Sequence, residues 1–115
     1  MCHVLIIEDE ALIALGIQTL LENAGASSVA FAETEQEAVE AVRRKRPAVI
    51  TSDVNLRIGT GPKAVEAIHA EHGPIPVIYI TASPEQCAGC PVDYVFSKPM
   101  DEDRVEALFR AIQPR

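Results

Sequence analysis

Apolar and polar positions follow two rhythms along this chain. Short unbroken apolar runs, Val4-Leu5-Ile6-Ile7, Ala48-Val49-Ile50 and Val77-Ile78-Tyr79-Ile80, read as strands buried on both faces of a sheet. Between them lie stretches whose apolar residues recur at helical spacing, first from Ala11 to Leu21, after which Gly25 fits the C-terminal stop. A second strand is expected over residues 29–32. Thr34 and Glu37 then make a capping-box pattern for a helix whose inner side is Ala38, Val39, Ala41 and Val42, closed off by Pro47. Pro62 fits the first turn of a third helix running to about His72, and Gly73-Pro74 stops it. A fifth apolar stretch, Tyr94-Val95-Phe96, precedes a last helix that starts near Asp101 and turns Val105, Leu108, Phe109 and Ile112 inward.

Strands alternating with helices call for parallel strands joined by right-handed crossovers on both faces, a doubly wound α/β fold. The fourth crossover, between Thr81 and Lys98, has room for only a short helix, with Ser83-Pro84 at its start and Gly89 and Pro91 breaking it. At 115 residues, residues 1–115 are expected to be one domain, with nothing remaining for an attached effector domain.

Charge narrows the range of partners. A formal net charge of −7 disfavours phosphate backbones, so no direct nucleic-acid partner is expected. The basic run Arg43-Arg44-Lys45-Arg46 reads as a helix C-terminus, where cations oppose the dipole, although it could touch an acidic protein. No apolar run approaches the length of a membrane span and no secretory signal precedes the first strand, which points to the cytoplasm. Three cysteines, Cys2, Cys87 and Cys90, are an odd number and are expected to be reduced.

The candidate chemistry sits where strands end, and in open parallel sheets ligands bind at the carboxyl ends. Glu8 and Asp9 follow the first strand, Asp53 the third, Thr81 ends the fourth and Lys98 follows the fifth. Converging carboxylates repel one another and form a hard oxygen site suited to Mg²⁺, with Mn²⁺ as a substitute. The same set serves phosphoryl transfer to a carboxylate: Asp53 as nucleophile, Lys98 and the Thr81 hydroxyl on phosphoryl oxygens.

From Val4 onward the chain resembles the receiver domain of two-component response regulators. The resemblance rests on Leu5-Ile6-Ile7-Glu8-Asp9-Glu10, on Asp53 with Gly61 eight positions later, on Thr81-Ala82 and on Lys98-Pro99. It implies a flavodoxin-like five-stranded sheet of order 2-1-3-4-5 and Mg²⁺-dependent transfer from the phosphohistidine of a histidine kinase or histidine phosphotransfer protein to Asp53. It also implies a switch at Thr81 read by a downstream protein target. By the same resemblance Asp9 contacts the metal, Glu8 acts partly through water, and the main-chain carbonyl of Asn55 completes the ligands with Asp53. Asn55 and Ser83 take the two positions that tune how long the phosphoryl group survives. Such a protein assists its own phosphorylation and dephosphorylation and is not otherwise an enzyme.

Two positions depart from that family: Val95 stands where an aromatic is usual, and Arg57 where proline is usual. Two other readings stay open, a phosphorylation-independent interaction module of the same fold, and a thiol or zinc protein using Cys87 and Cys90 with His69 and His72.

Overall fold

The computed structural model describes residues 2–87 and 89–114. Five strands, β1 (His3–Ile7), β2 (Ser28–Ala32), β3 (Val49–Ser52), β4 (Val77–Thr81) and β5 (Val95–Ser97), pair in parallel in the order β2-β1-β3-β4-β5. Four helices, α1 (Ala11–Asn23), α2 (Glu35–Arg44), α3 (Gly61–His72) and α4 (Glu102–Ile112), cover the two faces.

The pleat sorts the core. In β1, Leu5 and Ile7 face α2 and α3, whereas Val4 and Ile6 face α1 and α4; Ile50 and Val49 divide in the same way in β3. One layer therefore gathers Ala38, Val42, Ala64, Val65 and Ile68, and the other Ile17, Leu21, Val105 and Phe109. Burial of both layers is what keeps a sheet with so few polar positions in water.

Local signals set the helix ends. The Thr34 hydroxyl accepts the Glu37 amide at 3.1 Å, but the Glu37 carboxylate returns to the Glu33 amide at 2.8 Å, one residue earlier than a full capping box requires. Thr60 caps α3 and Asp101 caps α4 through their side-chain oxygens. After α1 the chain turns through Gly25, whose φ of 116° suits glycine alone.

The fourth crossover holds less than the short helix expected. It contains two single-turn 3-10 helices, Pro84–Gln86 and Val92–Tyr94, because prolines and Gly89, with φ 83°, interrupt every longer run of helical backbone. Tyr94, expected in the last strand, ends the second of these turns. Val95 begins β5, opposite Tyr79 and packed on the α2–α3 layer, while Phe96 lies in the other layer.

The cysteine expectation also needs correction. Cys87 and Cys90 are joined as a disulfide, and only Cys2, buried, is free. A tight turn, with the Cys90 amide on the Cys87 carbonyl at 3.1 Å, sets their Cα atoms 5.5 Å apart, within the span a disulfide bridges. An odd cysteine count cannot register that local proximity. The zinc reading falls with it: the sulfurs are bonded to one another, and the His69 ring is bonded to the Ile75 carbonyl at 2.9 Å, closing the end of α3.

The basic run is used within the protein. Arg43 pairs with Glu71 of α3 at 2.7 Å across the surface, Lys45 reaches the Ser28 hydroxyl at 3.2 Å, and Arg46 holds the His72 and Pro74 carbonyls. Among the described residues, no helix is long and apolar enough to cross a membrane.

Candidate functional site

Neighbouring strands bring the acidic residues to one rim. Glu8 is the first residue past β1 and its amide bonds the Ala32 carbonyl at 2.9 Å; Asp53 is the first past β3 and its amide bonds the Ile7 carbonyl at 2.9 Å. The ladder thus carries both residues one step beyond the strand ends and fixes their backbones. Lys98 arrives from the far side of β4, its amide on the Thr81 carbonyl at 2.9 Å.

The Lys98 ammonium then joins the two acids, at 2.9 Å from Asp53 Oδ2 and 3.0 Å from Glu8 Oε1. Glu8 and Asp53 are only 3% and 8% exposed, so both contacts lie out of bulk water, where charge–charge attraction is strong. Burial disfavours the charge on Lys98, but its bonds to Asp53 and Glu8 outweigh this and hold the ammonium above its usual range. Burial likewise pushes the Glu8 carboxyl upward, only partly opposed by Lys98 and by the Glu10 amide, which bonds Glu8 Oε2 at 3.2 Å.

Asp53 is held firmly. Its Oδ1 accepts the Val54 amide at 2.6 Å, and the Ser52 hydroxyl bonds its main-chain oxygen at 2.8 Å. The β3–α3 loop passes so close that a Cβ at Gly61 would collide with that same main-chain oxygen, which accounts for glycine there. A residue distant in sequence steadies the loop: the Glu35 carboxylate accepts the Thr60 amide at 2.8 Å and occupies the space a side chain at Gly59 would need. Nothing in the local sequence pattern signals that contact.

The remaining candidates sit around this centre. Asp9 is half-buried, and its carboxylate groups with those of Glu8 and Glu10, oxygens within 4.8 Å of one another. Glu10 is an acidic neighbour to which the sequence gives no role. Asp53 lies outside that trio and is linked to it through Lys98. The donor set fits a hard divalent cation: all are oxygens, and buried Glu8 Oε1 has its ion pair with Lys98 but no well-directed hydrogen bond.

Thr81 is buried, and its hydroxyl oxygen accepts the Ser83 amide at 3.0 Å, leaving its own proton free to donate. Ser83 is half-buried and Asn55 exposed; the Asn55 amide donates to Gln86 Oε1 at 2.7 Å, tying the rim to the fourth crossover.

Comparison with known proteins agrees with this geometry. Residues 4–110 match the response regulator receiver domain family. The phyllosphere-induced regulator PhyR of Methylorubrum extorquens is 42% identical over 86 residues, covering 73% of this chain and 32% of that protein. The solution structure of the PhyR receiver domain of Erythrobacter litoralis superposes with a TM-score of 0.83 at 32% identity, over 99% of this chain and 93% of that one. A PhyR mutant from Bartonella quintana, described as an anti-anti-sigma factor, gives 0.84 at 37% identity over 96% of this chain and 48% of its own. This chain spans about a third of the Methylorubrum protein and about half of the Bartonella one. A match running from the first strand into the last helix, repeated in the superposed backbones, makes this chain a member of the response regulator receiver domain family.

Proposed function

We propose that the chain is a phosphoacceptor: Asp53 takes a phosphoryl group from a phosphohistidine of a histidine kinase or phosphotransfer protein. The observation that carries this reading is the Lys98 ammonium set between Asp53 and Glu8 on the rim. An Asp53 carboxylate oxygen forms the new O–P bond as the P–N bond of the donor breaks, and the histidine leaves with the bonding pair. Lys98, already charged and desolvated, exchanges a carboxylate partner for a phosphoryl oxygen. Thr81 donates its free hydroxyl proton to another.

Glu8, Asp9, Asp53 and the main-chain carbonyl of Asn55 would hold Mg²⁺, or Mn²⁺ in its place. When bound, the cation screens the charge on the acceptor and on the incoming group. Asn55 and Ser83 flank the place from which a water would attack and set the lifetime of the aspartyl phosphate. The output is a change in protein binding, and likeness to an anti-anti-sigma factor supports a protein rather than a nucleic acid as the target.

Intact-protein mass after incubation with acetyl phosphate tests the reading. A Mg²⁺-dependent gain of one phosphoryl group, lost in Asp53→Asn, is the expected result. No gain, together with no Mg²⁺-dependent binding of beryllofluoride, would leave a folded interaction module that acts without phosphorylation.

A further inference from the structure

Cys87 and Cys90 are a pair of sulfurs that the rim chemistry does not use. They stand in the crossover between β4 and β5, bonded to each other. A bond between residues three apart restricts the unfolded chain little, so it makes a weak staple. The two sulfurs also differ in access: Cys87 is 7% exposed among core residues that include Val54, Ile75 and Tyr79, whereas Cys90 is half-buried at the edge of that cluster.

The pair is linked to the rim by a short path that includes one side-chain hydrogen bond. Cys87 follows Gln86, whose side-chain carbonyl accepts the Asn55 amide at 2.7 Å, and Asn55 is two residues past Asp53. The Cys87 amide bonds the Pro84 carbonyl at 3.2 Å and the Cys90 amide the Cys87 carbonyl at 3.1 Å. Two successive turns thus connect the sulfur–sulfur bond to the Gln86–Asn55 contact, with no α-helix among the described residues of the crossover to hold that contact independently.

We infer that Cys87 and Cys90 form a reversible thiol–disulfide site whose oxidation state sets how firmly Gln86 holds Asn55. The co-reactant is a small disulfide such as oxidised glutathione. The more open Cys90 thiolate attacks one of its sulfurs, forming a mixed disulfide and expelling one thiolate. The Cys87 thiolate then attacks the Cys90 sulfur, closing the Cys87–Cys90 bond and expelling the second. Two protein thiols are oxidised, one small disulfide is reduced to two thiols, and the two protein protons pass to the expelled thiolates. Excess reduced glutathione drives the same steps backwards. An influence on Asp53 chemistry rests on the phosphoacceptor reading; the exchange itself does not.

Equilibrating the full chain in glutathione buffers of graded ratio, quenching with an alkylating agent and weighing the protein tests the exchange. The expected result is a titration between a doubly alkylated and an unalkylated Cys87–Cys90 pair. Cys87→Ser should accumulate one glutathione adduct, and Cys90→Ser should stay largely unmodified. On oxidation the Asn55 side-chain amide signals should shift in NMR spectra and hydrogen exchange at Gln86 should slow; Gln86→Ala should abolish the Asn55 shift and leave the mass titration unchanged. A pair locked in one state at every ratio overturns the exchange, and an adduct on Cys90→Ser but not on Cys87→Ser overturns its order. Identical Asn55 signals in both states overturn the coupling. None of these readouts needs a phosphoryl group, so failure of the Asp53 reading would show separately, as absence of beryllofluoride binding in both states.

Discussion

The rim and the fourth crossover stand at opposite extremes of constraint although they touch. At the rim, Glu8, Asp53 and Lys98 are each the first residue past a strand and Thr81 is the last within one, and ladder hydrogen bonds of 2.9 Å fix the backbones of Glu8, Asp53 and Lys98. The crossover has two single helical turns and a disulfide, and its hydrogen bonds to the rim include the exposed Asn55–Gln86 contact and the Ser83 amide on the Thr81 hydroxyl. Side chains that converge are placed where the sheet already holds the chain, whereas the crossover takes its shape from local turns and a sulfur–sulfur bond.

The largest effect that would sharpen this contrast is expected at Lys98. Replacing it with alanine removes the only described cation paired with Asp53 and Glu8, and should slow phosphoryl uptake from acetyl phosphate by roughly 100-fold, measured by mass. Next comes Gly61→Ala, where the new methyl meets the Asp53 main-chain oxygen. It should cost about 2 kcal/mol in urea unfolding and displace the loop beside Asp53.

A smaller, pH-dependent effect belongs to the opposite end of the sheet. His3 bonds the Ser28 hydroxyl through Nδ1 at 2.7 Å, while its Nε2 is buried without a partner. Burial, with Lys45 nearby, holds the imidazole below its ordinary value. Because the folded value lies below the unfolded one, the stability His3 confers is complete above about pH 6.5 and is lost as pH falls through the folded value. Urea midpoints of wild type and His3→Gln should therefore diverge above that pH and converge in acid. The smallest effect is expected at Gln86→Ala, within about 0.5 kcal/mol of wild type. A loss as large as that at Gly61 would break the comparison, because the crossover would then be bearing the fold.

Most of the rim was legible because its residues obey a positional rule. Apolar runs mark strands, and Glu8 follows such a run directly, Lys98 after one polar residue and Asp53 after two, so the topology delivers all three to one edge. The sorting of Leu5 and Ile7 from Val4 and Ile6 follows from the pleat in the same way. What stayed hidden depends on contacts between distant residues or on turn geometry. Glu35 supports Thr60 across 25 residues, and no periodicity marks it. Cys87 and Cys90 meet because a particular turn forms, whereas counting cysteines assumes they behave independently. Pro84, Gly89 and Pro91 mark the fourth crossover as broken, but the burial of Cys87 beside Tyr79 and Val54 depends on the turn it sits in, which sequence does not display.

Lys98 carries a mechanical consequence. Its ammonium grips Asp53 while its own amide is bonded to the Thr81 carbonyl, so one residue is anchored at both ends, across a single side chain. A displacement of the tip reaches the β4–β5 ladder through the covalent bonds of one residue. The residue works as a lever whose short arm lies in the sheet and whose long arm senses charge.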